Sequence, residues 1–92
     1  MIKMVKVVEV EPVGEWRLRL RFSDGSEGVH DFATLVAEEG EMLAPLKDSA
    51  FFARVHIEYG VPTWPNGFDL DAIALHMKME EAGELRSRAA AE

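Results

Sequence analysis

The clearest pattern in the chain is the strict alternation of residues 16–22, where Trp16, Leu18, Leu20 and Phe22 interleave with Arg17, Arg19 and Arg21. Period-two alternation turns one row of side chains to the core and the other to water, so the segment predicts a half-buried β-strand. Residues 4–11 predict a strand before it, and residues 27–31 a strand after it. Pro12-Val13-Gly14-Glu15 makes the first connection. Ser23-Asp24-Gly25-Ser26 makes the second, with Asp24-Gly25 as the two-residue pair that type I′ hairpin turns favour. The rows of like character suggest a register. Val10 faces Leu18 and Val8 faces Leu20 on the buried side, while Glu11 faces Arg17 and Glu9 faces Arg19 in water. In the second hairpin Leu20 faces Val29 and Arg19 faces His30. The expected buried face thus holds Val8, Val10, Leu18, Leu20 and Val29, with the arginines exposed.

The pattern then changes. Asp31 is placed to cap a short helix that turns Phe32, Leu35 and Val36 inward, with Gly40 as its stop. Met42, Leu43 and Leu46 read as core plugs around Pro45, and Asp48 caps a further helical turn carrying Phe51 and Phe52. Val55 to Glu58 predicts a fourth strand. Pro62 to Trp64 predicts its hairpin partner, confined to an edge because proline donates nothing to a ladder. A last helix starts near Asp69 or Asp71. Leu70, Ile73, Ala74 and Met77 form the expected inward stripe at i, i+3, i+4, i+7 spacing, and Leu75, Met79 and Ala82 fall on the other side. The expected domain is residues 1–83, with 84–92 a solvated or frayed tail. The fold class is α+β: one small domain, its mainly antiparallel sheet (a meander plus a short hairpin) packed against two or three short helices.

Composition narrows the function more than the fold. The chain has 92 residues and no cysteine, so disulfides and thiolate chemistry are absent. Its net charge of −7 opposes nucleic acid and suits a basic partner. His30, His56 and His76 lie far apart, with no second His or Cys at zinc-ligand spacing. No apolar run is long enough to span a membrane, and the first residues lack the apolar core of a signal peptide. A cytoplasmic location without a cofactor is the expectation.

The run Tyr59-Gly60-Val61-Pro62-Thr63-Trp64-Pro65-Asn66-Gly67-Phe68-Asp69-Leu70-Asp71 carries a resemblance. Its Trp64-Pro65-Asn66-Gly67 block with Asp69-Leu70 is similar to the signature of the domain of unknown function 2442 family, small uncharacterised prokaryotic proteins. So are Val8, Leu18 to Phe22, Asp24-Gly25, Asp31-Phe32, Pro45-Leu46 and Phe52. The resemblance covers roughly residues 4–77. It implies a small α+β fold and assigns no catalytic residue. Some relatives add a helix-turn-helix domain, for which this chain ends too soon. Others are encoded beside a second small protein, which implies a toxin–antitoxin-like pair.

Two regions stand as candidate sites. Trp64, Pro65, Asn66, Gly67, Asp69 and Asp71 read either as a pocket with an aromatic platform, or as a turn with Gly67 or Asn66 at positive φ and an Asp cap. The structural reading is the stronger one. Leu75, Met79 and Ala82 read either as a contact surface on the last helix or as core. The arginine row reads as a solvated face paired with Glu9 and Glu11 rather than a phosphate strip. His30, Asp31 and Asp24 lack any nucleophile elbow or metal spacing, so neither catalytic nor metal-binding residues are expected. The expected function is a non-catalytic protein-interaction module that pairs with another protein or itself, without nucleic acid or membrane. The alternative is a ligand-binding or regulatory domain.

Overall fold

A computed structural model describes residues 4–87. Three strands form the expected meander: β1 (Val7–Pro12), β2 (Arg17–Phe22) and β3 (Ser26–Asp31). Short helices α1 (Ala33–Ala37) and α2 (Ser49–Phe52) follow, separated by a 3-10 turn at Ala44–Lys47. The hairpin β4 (His56–Glu58) and β5 (Val61–Thr63) leads into α3 (Ala72–Glu81) and a two-residue strand, β6 (Arg86–Ser87). The main sheet runs β1-β2-β3-β6, all antiparallel, beside a separate β4-β5 sheet. This is the α+β class that the pattern predicts.

The register differs from expectation in both hairpins. In the first, Val10 faces Leu20, Glu11 faces Arg19 and Glu9 faces Arg21, a shift of two residues. Strand β1 runs on through Pro12, and Trp16 leaves the ladder with φ 62. A two-residue shift keeps every side chain on its face, so Leu18, Leu20 and Phe22 are still buried. A bulge between Val7 and Glu9 turns Val8 out, 42% exposed, and Val7 takes the inward place. In the second hairpin the slip is a single residue and every β3 side chain changes face. Leu20 meets Gly28, Leu18 meets His30, and Val29 is exposed beside Arg19. The cause is a three-residue turn. Gly25 sits at φ 90 and donates to the Phe22 carbonyl, and Asp24 Oδ1 accepts from the Ser26 amide and hydroxyl. That is the turn-plus-bulge alternative to a type I′ pair.

Helix α3 also packs the other way round. Asp71 caps it by accepting from the Ile73 amide at 3.0 Å. Its buried face is Ala72, Leu75, His76 and Met79, whereas Ala74 is exposed and Met77 is 55% exposed. The i, i+3, i+4, i+7 rule holds from Ala72, and polar His76 is one of its four members. Leu75 and Met79 are therefore core, not a contact surface, and Ala82 is an exposed C-cap. Gly83, at φ 73, closes the helix: its amide bonds the Glu80 carbonyl and the Glu84 amide bonds that of Met79, a Schellman ending. The chain then turns back along β3. Arg86 and Ser87 thus pair with β3 instead of fraying, and residues 88–92 of that expected tail lie outside the described residues.

The other end of the core is an aromatic chain. Phe52 contacts Trp16 (5.4 Å, edge-on), Phe32 (6.2 Å) and Trp64 (5.7 Å), and Trp64 contacts Phe68 (5.7 Å). Full burial of such side chains contributes about 1.5–3 kcal/mol each. Leu43 and Leu46 fill the core as expected, but Met42 is exposed.

Gly28 gives a direct test of the β3 register. A Cβ placed there would lie 2.1 Å from the Glu84 carbonyl oxygen, which is backbone and cannot swing aside. Gly28→Ala should destabilise the protein by about 1–3 kcal/mol in thermal or urea melts. With the type I′ register the same change would be near neutral.

Candidate functional site

The Trp64 turn is built for structure. Trp64 is 1% exposed, and its indole N–H donates to the Phe52 carbonyl at 2.9 Å. Gly67 takes φ 91 and donates to the Trp64 carbonyl at 2.9 Å, as the Asn-Gly pair predicts. Asn66 spends both ends of its amide, its Nδ2 donating to the Met42 carbonyl and its Oδ1 accepting from the Phe68 amide. Asp71 caps α3. Asp69 is exposed and forms a bridge with Thr63 through its backbone. Trp64 thus offers no platform for a stacked ligand, because the indole faces the core. What remains is a surface recess of about 350 Å3 beside the turn, bordered by Glu58, Tyr59, Pro65, Gly67 and Asp69.

A second polar cluster joins residues far apart in sequence. His76 on α3 is 5% exposed, and its Nε2 donates to Asp24 Oδ2 at 2.9 Å. Phe22 contacts the imidazole edge-on at 4.9 Å. The other Asp24 oxygen holds Ser26. Serine, histidine and aspartate meet here with the carboxylate in the middle. No hydrogen bond joins the imidazole to the hydroxyl, and a nucleophile relay needs one. The cluster instead ties the β2–β3 turn to α3. His30 plays a parallel part, with Nδ1 2.7 Å from Glu84 Oε1, fastening the segment after α3 to β3. Neither pairing is legible in sequence, because each spans more than fifty residues.

Two of the three arginines in the row are paired within the sheet. Arg19 pairs with Glu11, and Arg21 with Glu9 at 2.7 Å. The Glu9 hydrogen bond, helped by the charges of Glu9 and Glu27, raises the Arg21 pKa further. Among the described residues no three His, Cys, Asp or Glu side chains converge to hold a metal ion, and no helix is long and apolar enough to cross a membrane.

Tyr59 is 97% exposed at the tip of the β4–β5 hairpin, at φ 53, followed by Gly60 at φ 77. Two central residues at positive φ are the type I′ pattern, which favours Asn, Asp or Gly at the first position. A bulky residue there is an outlier that costs on the order of 1 kcal/mol. The Tyr59-Gly60 pair between two strand-like runs is the sequence signal for this turn. The tip is tied to the main sheet, since the Val7 amide donates to the Gly60 carbonyl at 2.8 Å and the Lys6 side chain packs against Gly60.

Comparison with known proteins gives a family match. The family described as "Protein of unknown function (DUF2442)" matches residues 7–80. That span runs from the first residue of β1 almost to the end of α3, and it holds the Trp64 turn, the Asp24–His76 link and Tyr59. No curated protein and no solved structure matches the chain.

His56, on the strand leading to the tip, supplies a pH test. Its Nε2 lies 2.6 Å from Glu58 Oε2, and this hydrogen bond, with a weaker one to the Arg54 carbonyl, raises its pKa above the ordinary 6.5. A pKa raised in the folded state gives stabilisation that is complete below the unfolded value and lost as pH rises through the folded one. An NMR titration of the His56 ring should show a midpoint above 6.5 that falls toward it in Glu58→Gln. A midpoint unmoved by that change would dissociate the pair.

Proposed function

We propose that this chain, which belongs to the family described as "Protein of unknown function (DUF2442)", is a small non-catalytic protein-interaction module of the prokaryotic cytoplasm. On this reading it is the acidic member of a toxin–antitoxin-like pair, and it engages its partner through the β4–β5 tip. The observation that carries the reading is Tyr59. The fold gains nothing from the ring, which lies in water on a backbone conformation that tyrosine tolerates poorly. Strain without structural return is a mark of function, and tyrosine is among the residues that dominate protein interfaces. The net charge of −7, with Arg19 and Arg21 tied to Glu11 and Glu9, favours a protein partner over nucleic acid. The Leu75–Met79 stripe of α3 has no part in this interface, because both side chains are inside.

A ligand-binding regulatory role is the second reading. It rests on a cleft of about 220 Å3 between α1 and α3, with Phe32, Leu35 and Leu70 among its apolar walls and His30 and Lys78 among its polar groups. That is below the usual size of small-molecule pockets, which begin at about 300 Å3.

The test of the first reading is a trade of stability against binding. Tyr59→Asn puts a residue that accepts positive φ at the turn. It should raise stability by about 0.5–1 kcal/mol in melts. In affinity purification from the native cell with mass spectrometry, the same change should remove the partner that wild type enriches. A variant that is less stable and keeps the partner would show that the ring serves the fold.

A further inference from the structure

We propose that the recess beside Tyr59 is a subsite for an arginine side chain of the partner, its guanidinium stacked on the Tyr59 ring and bonded to Asp69. This rests on the interaction reading above and adds the chemistry of the contact. The recess, about 350 Å3, lies at the small end of ligand pockets and suits one long side chain. Its rim combines an exposed aromatic ring with two carboxylates, Glu58 and Asp69, and has no basic residue. The Asp69 side chain is exposed and makes no hydrogen bond or ion pair among the described residues. Glu58 uses Oε2 on His56, which leaves its second oxygen. A cation over a tyrosine face with a free carboxylate alongside is stabilised twice. Arginine fits better than lysine, because a planar fork can stack and bond a carboxylate together. The net charge of −7 adds a long-range attraction for a basic segment.

The probe is an acetylated, amidated Gly-Gly-Arg-Gly-Gly peptide, titrated into the 15N-labelled chain at low salt. Two control peptides carry lysine or citrulline in place of arginine; citrulline keeps the shape and loses the charge. Shifts should concentrate on residues 58–61 and 67–69, should weaken with lysine and should vanish with citrulline. Tyr59→Ala should weaken binding roughly two- to five-fold, the worth of an exposed cation–π contact. Asp69→Asn should weaken it further, with unchanged spectra elsewhere showing that the fold persists. Lys6→Ala, which removes the chain's own cation packed against Gly60, should leave binding equal or tighter. Shifts spread evenly over acidic positions such as Glu38, Glu41 and Glu81, or equal responses to arginine and citrulline, would overturn the subsite. So would partner capture that depends on Tyr59 yet survives Asp69→Asn, although the interaction module itself would then stand.

Discussion

The carboxylate of Asp24 is the constraint on which the arrangement of this domain depends. One oxygen closes the β2–β3 turn through the Ser26 amide and hydroxyl, and the other accepts from His76 on α3. The first contact sets a three-residue turn, so Gly28 and His30 face inward. An inward glycine leaves room for the Glu84 carbonyl, and an inward histidine meets the Glu84 side chain. The second contact fixes which face of α3 meets the sheet. Turn, helix rotation and the returning strand β6 thus follow from one side chain with two acceptor atoms. A buried polar cluster of this kind is costly half-made and specifying when complete.

The same residue explains where sequence reasoning fails. The meander, the β4–β5 hairpin, the short helices and the α+β class follow from periodicity and turn residues. Asp24-Gly25 is equally good grammar for two-residue and three-residue turns, and a one-residue slip inverts a whole strand. Val29 looked like core for that reason. On α3 the apolar wheel drew Leu70 into the helix and left out His76, because a histidine is not counted as core. Its partner Asp24 lies 52 residues away. The Trp64 turn was legible residue by residue, since each of its members has a local backbone role.

The site was less legible because its evidence is an absence of structural use. Tyr59 reads in sequence only as part of the turn between two strands. Its meaning appears only when the backbone is seen to be left-handed and the ring to be wholly in water. The polar groups of the neighbouring turn are largely spent: the indole N–H on Phe52, the Asn66 amide on Met42 and Phe68, the Asp71 carboxylate on α3. Against that background Tyr59 and the Asp69 carboxylate stand out as surplus to the fold, and both line one recess.

Asp24 couples the turn, α3 and β6 into one unit, and native-state hydrogen exchange on Asp24→Ala puts that coupling to the test. Protection should fall together at the Ser26 amide, along α3 and through residues 84–87, while the β1–β2 ladder keeps its own. Loss of protection confined to residues 23–26, with α3 and β6 unchanged, would contradict it.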